Sequence, residues 1–134
     1  MLAAVVAGQP WCDDLDALVP VPASLPERLH YRFCPVGLLA KTVAGELRLP
    51  VLPIVSVRGK KCRQVELPAS ARVQNVRGVF RLDRHAHVGG TRLCVLDDVA
   101  TSNATLNEMA TVLKRAGAAR VDAAVLAKSS SFRA

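Results

Sequence analysis

The chain has 134 residues, 51% of them hydrophobic, and a formal charge of +7. That length suits one domain with one core, and that composition excludes a disordered polymer. The positive balance favours phosphate-bearing partners but says nothing about fold.

The opening stretch, MLAAVVAGQPW, is apolar but has no basic region before it. It does not read as a signal peptide, and no stretch reaches the roughly 18 apolar residues of a membrane helix. The expectation is a soluble, cytoplasmic protein with no membrane insertion.

ALVPVP (17–22) reads as a short buried strand. Pro20 and Pro22 fit at its end, where the chain leaves the ladder. A polar loop bearing Arg28 and Arg32 follows. Phe33, Val36, Leu39, Ala40, Val43, Ala44 and Leu47 then recur at helical spacing, and Pro50 stops that helix.

VLPIVSV (51–57) is rich in β-branched residues and reads as the second strand. Residues 58–78 show no apolar period, and VFRL (79–82) reads as a strand. Pairing of 51–57 with 79–82 would make a hairpin with an unusually long tip, and such loops usually act as lids or binding loops.

TRLCVL (91–96) is an apolar strand ending at Asp97. Thr105 and Glu108 have the spacing of a capping box, which starts a helix at Thr105. Leu106, Met109, Ala110, Leu113 and Ala116 form its buried stripe, and Gly117 ends it. VDAAVLA (121–127) is the next strand. Strand, helix and strand in this order imply a parallel pair joined by a right-handed crossover.

The chemistry gathers at VLDDVATSNAT (95–105). Ligands of open parallel sheets collect outside the carboxyl ends of the strands, where Asp97 and Asp98 fall. The loop Thr101, Ser102, Asn103, Ala104 and Thr105 runs into the positive end of a helix, which favours an anion. Hydroxyls there can donate to phosphate oxygens. The two carboxylates suit a diol, or a magnesium ion bridging to one. A diol beside a phosphate describes a ribose 5-phosphate. The same residues also fit a plain hydroxyl-rich turn with a good N-cap. Paired aspartates after a strand occur in phosphate-receiving domains and other magnesium sites as well.

Cys12, Cys34, Cys62 and Cys94 are 22, 28 and 32 residues apart, without the close pairs of a zinc site. Cys94, inside an apolar run, reads as a buried thiol. His85 and His87 stand two apart with no third ligand near, so the expectation is no zinc.

Residues 58–84 hold eight basic residues, Arg58, Lys60, Lys61, Arg63, Arg72, Arg77, Arg81 and Arg84, against Glu66 and Asp83. The segment is +6 of the chain's +7. It can be a solvated loop, an anion-binding lid, or a track for single-stranded DNA through Lys60, Lys61 and Arg63. Phe80 is its only aromatic, so any DNA binding would be electrostatic and salt-sensitive.

LCVLDDVATSNATLNE resembles the phosphoribosyl-pyrophosphate (PRPP) motif of type I phosphoribosyltransferases. LVPVP, RLHYRF, and Gln64, Leu67, Arg72, Asn75, Gly78 and Phe80 resemble the competence protein F branch. The resemblance spans roughly residues 18 to 128. It implies an α/β fold of the type I phosphoribosyltransferase kind in one domain, with helices flanking a mainly parallel sheet of about five strands. It also implies a long basic lid loop at 58–78, and the few residues before the first strand lead us to expect a minimal hood.

By this resemblance Asp97 and Asp98 face the ribose hydroxyls of PRPP and its Mg2+, and residues 101–105 hold the 5-phosphate. Arg28, Arg32, Arg63, Gln64, Arg72 and Asn75 are pyrophosphate or lid candidates. The implied role is phosphoribosyl transfer or nucleotide binding in DNA uptake and natural transformation, with single-stranded DNA and the uptake machinery as partners. Alternatives are a non-catalytic nucleotide- or DNA-binding module and a nucleobase salvage enzyme. A homodimer is left open.

The chain departs from the family in three places. The loop reads TSNAT where TTGAT is usual. Arg32, Phe33 and Cys34 stand where Gly-Phe-Asn is common. Many members carry an N-terminal cysteine-rich zinc module; with only Cys12 there, none is expected here. Asn103 replaces a glycine at a left-handed position, a conformation asparagine tolerates.

Overall fold

The computed structural model describes residues 2–22, 35–57, 77–100 and 103–128. Its elements in chain order are α1 (Leu2–Ala7), a short 3-10 turn (Cys12–Asp14), β1 (Ala17–Pro20), α2 (Pro35–Leu47), β2 (Val55–Val57), β3 (Phe80–Leu82), β4 (Arg92–Ala100), α3 (Ala104–Arg115) and β5 (Arg120–Lys128).

β1, β4 and β5 form a three-stranded parallel sheet with β4 in the centre. Ala17 pairs with Leu93 and Pro20 with Leu96, while Leu93 pairs with Val121 and Asp97 with Val125. Parallel strands need both faces covered, and the alternation of β4 shows how. Leu93 and Val95 face one cluster with Met109 and Leu113 of α3. Cys94 and Leu96 face another with Ala40 and Val43 of α2 and Leu2 and Val6 of α1. All four β4 residues are at most 1% exposed.

The sheet of about five strands is divided: three strands are parallel, and β2 and β3 form a separate antiparallel ribbon. Val51 does reach the sheet edge, making an isolated parallel bridge with Leu18. Leu52 N–H donates to the Leu18 carbonyl at 2.8 Å. The next rung would need an N–H at residue 20 to donate to the Leu52 carbonyl, and Pro20 has none, so the ladder stops there. The hairpin expected of 51–57 and 79–82 is present in shortened form, with Val55 opposite Leu82 and Val57 opposite Phe80.

Pro20 ends β1 as expected, and Val21 N–H then donates to the Leu96 carbonyl at 2.9 Å. α2 ends at Leu47, before Pro50. Arg48 is left-handed at φ 55°, and Leu49 N–H reaches back to the Ala44 carbonyl at 3.0 Å. α3 closes with the same device, Gly117 at φ 102° and Ala118 N–H on the Leu113 carbonyl at 3.1 Å.

α1 has no counterpart in the sequence reading. Its six residues show only one and a half turns of pattern, too little for periodicity to register. Leu2, Ala3 and Val6 are buried against α2 and the sheet. Residues 11–16 are tied to the amino ends of the strands. Arg120 Nη2 donates to the Trp11 carbonyl at 2.9 Å, and Arg92 N–H donates to Asp16 Oδ2 at 2.7 Å.

Candidate ribose and phosphate site

The aspartate pair lies on the central strand. β4 runs past Asp97 to Ala100, not ending at Asp97, because its ladder with β5 continues through Val99–Ala127 and Ala100–Lys128. β1 stops earlier: Pro20 is level with Leu96. The carboxylates therefore stand where the sheet loses its β1 neighbour, the kind of step at which ligands of parallel sheets sit.

Asp97 is 9% exposed and Asp98 half-buried. Asp97 Oδ1 accepts the backbone N–H of Asp98 at 2.9 Å. That bond holds the Asp97 side chain against its own strand end. Strand alternation places Asp97 on the α3 side, in line with Leu93 and Val95, and Asp98 on the α2 side, in line with Cys94 and Leu96. The two side chains fall on opposite faces of β4 and do not form a single chelating claw.

Asn103 has φ 60° and ψ 3°, the left-handed conformation expected for it. It is the N-cap of α3, although its side chain makes no capping bond. Its carbonyl accepts Asn107 N–H at 2.9 Å, the first bond of the helix. The N–H groups of Ala104, Thr105 and Leu106 have no acceptor within the helix, as at any helix start. No acidic side chain stands in the first turn, while Lys114 and Arg115 stand in the last. The amino end of α3 thus keeps its positive field.

The capping box on Thr105 and Glu108 does not form. The helix begins at Ala104, so Thr105 lies inside the first turn and Glu108 is too deep to reach the cap. Its Oε1 instead accepts the backbone N–H of Gly78 at 2.9 Å. Asparagine is a stronger N-cap than threonine, which was a usable signal for the true start. Nothing in the sequence signals the pairing with Gly78, 30 residues away.

Of the predicted site residues, the structure places Asp97 and Asp98 in the last part of β4, and Asn103, Ala104 and Thr105 at the cap and first turn of α3. Ala104 is 6% exposed, so it can meet a ligand through its N–H and not its methyl. Thr101, Ser102, Arg28, Arg32, Lys60, Lys61, Arg63, Gln64, Arg72 and Asn75 lie outside the described residues, as does 58–76 of the expected lid.

Cys94 is fully buried, and desolvation, with Asp122 and Cys12 adding to it, pushes its thiol up to about 12. It is a core residue, as its apolar run implied. A groove of about 330 Å³ runs along the β2–β3 ribbon between Pro53–Ser56 and Arg81–Arg84, and the aspartate pair does not line it. Among the described residues no group of three or more His, Cys, Asp or Glu gathers as a metal site. No helix among them is long and apolar enough to cross a membrane.

Solved structures share this fold. A purine phosphoribosyltransferase from Pyrococcus horikoshii superposes with a TM-score of 0.59 at 19% identity, over 95% of this chain and 70% of that one. An adenine phosphoribosyltransferase from Saccharomyces cerevisiae gives 0.62 at 11% identity, over 96% and 64%. The chain has the type I phosphoribosyltransferase fold. A phosphoribosylpyrophosphate synthetase from Mycobacterium smegmatis also matches, with a TM-score of 0.56 at 15% identity, over 95% of this chain and 33% of that one. The chain thus spans between 33% and 70% of the length of these three proteins. No protein-family model and no curated protein matches it.

Proposed function

We propose that this protein binds a ribose 5-phosphate moiety, as PRPP or a nucleotide, together with Mg2+. The observation that carries the reading is the succession of Asp97 and Asp98 at the step in the parallel sheet, left-handed Asn103, and the acid-free first turn of α3. The α3 end supplies N–H donors and a positive field for the phosphate, and the carboxylates suit the ribose diol. The fold shared with purine and adenine phosphoribosyltransferases supports the same reading.

The two carboxylates lie on opposite faces of β4, so they suit Mg2+ of the kind that keeps water and substrate oxygens as most of its ligands. When bound, the ion would neutralise pyrophosphate charge, with Asp97 and Asp98 as the residues to hold it through the ribose or through water. The chain's own part is to position the sugar and orient its hydroxyls. In transfer, the bond from the sugar carbon to pyrophosphate breaks as a bond to the acceptor forms, and cations beside the leaving group favour that state over the ground state.

The flanking motifs resemble competence protein F, which supports a role in DNA uptake over nucleobase salvage. The +6 charge of residues 58–84 favours single-stranded DNA as a polyanionic partner. Neutralising Lys60, Lys61 and Arg63 together should weaken such binding and flatten its salt dependence.

Calorimetry with PRPP and Mg2+, followed by pyrophosphate release across nucleobases, tests the reading. Wild type binds, and Asp98→Asn loses at least about tenfold in affinity, the usual cost of removing a charged hydrogen-bond partner. Equal binding by Asp98→Asn would remove the aspartates from the site. Binding without turnover on any base would identify a non-catalytic module.

A further inference from the structure

Glu108 lies one helical turn beyond Ala104, the first residue of α3. Its Oε1 accepts the N–H of Gly78 at 2.9 Å. Gly78 has φ +72°, and among the described residues no atom beyond its chain neighbours lies within 4 Å of where a Cβ would stand. Glycine is needed there for its backbone conformation and not for space. Two residues on, Phe80 is 5% exposed and packs in the cluster that holds Met109 and Leu113. The β2–β3 ribbon is therefore held to the α3 side by apolar packing, with Phe80 and Val55 buried in that cluster, and by a polar contact at Gly78. The polar contact can break without unpacking the core.

On a helix, residues three and four apart are neighbours, so Glu108 adjoins both Ala104 and Thr105. A ligand that fixes the first turn of α3 thereby restricts the turn from which Glu108 reaches Gly78.

We propose that Glu108 is a positioning residue that couples occupancy of the ribose 5-phosphate site to the start of the β2–β3 ribbon, an inference that rests on the reading of that site above. Coupling of this kind is reciprocal: whatever the ligand adds to the Gly78 contact, the contact adds to ligand affinity. Gly78 follows Arg77, an exposed cation, so the bond also fixes where that charge enters the ribbon.

The test is amide hydrogen exchange over residues 77–82 in the full chain, with and without ribose 5-phosphate, for wild type, Glu108→Gln and Glu108→Ala. Gln keeps an acceptor oxygen and Ala does not. Without ligand, Glu108→Ala exchanges Gly78 about tenfold faster, the loss of one charged hydrogen bond, and Glu108→Gln stays near wild type. Ribose 5-phosphate slows exchange over 77–82 in wild type and Glu108→Gln but not in Glu108→Ala, whose affinity also falls. Exchange in β1 and β4 reports that each variant is folded. Should Glu108→Ala not fold, Gly78→Ala, which strains the positive φ, carries the same test from the other side. Calorimetry on wild type separates the two claims. No binding by wild type overturns the site and the coupling together. Binding by wild type, with the same slowing and affinity in Glu108→Ala, overturns the coupling alone.

Discussion

The carbonyl of Asn103 accepts the N–H of Asn107 at 2.9 Å while Asn103 itself is left-handed at φ 60°. The residue that starts α3 is thus itself held in the left-handed conformation. The backbone already has the conformation a glycine would adopt there. Asn103→Gly should therefore leave PRPP affinity within about twofold and stability within about 0.5 kcal/mol, since Asn tolerates this region. Asn103→Ala should cost about 1 kcal/mol or more, because alanine has no local compensation for a positive φ. Thermal melts and calorimetry on the two variants check both. A large affinity gain in Asn103→Gly would mean that the asparagine side chain, not the backbone, shapes the pocket.

Much of this was legible in the residues. The apolar run before Asp97 placed the central strand, because a strand buried on both faces has no polar alternation to blur it. Pro20 and Pro50 marked true ends, since a missing N–H is a local fact. The left-handed Asn103 followed from one substitution in a known loop. What escaped were relationships between distant segments. Whether 51–57 joins the sheet depends on which residue meets Pro20 across the pairing at Leu18, which no local pattern encodes. The end of β4 at Ala100 depends on its partner β5. Glu108 satisfied a local rule on paper, yet the N-cap lies two residues earlier, at Asn103, and the Glu108 carboxylate meets Gly78 instead.

The two helix ends offer a matched pair. Arg48 and Gly117 occupy the same left-handed position after α2 and α3. Arg48 is exposed and bears the steric cost of a side chain at φ 55°. Arg48→Gly should stabilise the protein by about 0.5 kcal/mol, the relief of the left-handed cost less the added freedom of glycine in the unfolded chain. Gly117→Ala should destabilise by about 1–2 kcal/mol, since φ is 102° and the new Cβ would lie 3.4 Å from the Gly89 Cα. Urea unfolding of both variants gives the comparison. A loss of stability in Arg48→Gly would show that its side chain makes a contribution larger than the strain.

Cys94 gives a pH-dependent prediction. Burial, then the nearby Asp122 and Cys12, raises its thiol from 9.0 to about 12. The thiol is neutral when protonated, so folding favours the protonated form and the folded state holds its proton more tightly than the unfolded chain. The associated stability is fully present below pH 9 and is lost as pH rises toward 12. Comparing wild type with Cys94→Ala isolates this component. The wild-type minus variant difference in unfolding free energy should be flat between pH 6 and 8 and decline above pH 9. Because the thiolate is the reactive species, Cys94 should also resist alkylation at pH 8 in the folded protein and react once urea unfolds it. Mass mapping of alkylated peptides reads this directly. Rapid modification of Cys94 under native conditions would mean that the sheet opens between β4 and the α2 layer on the timescale of the reaction.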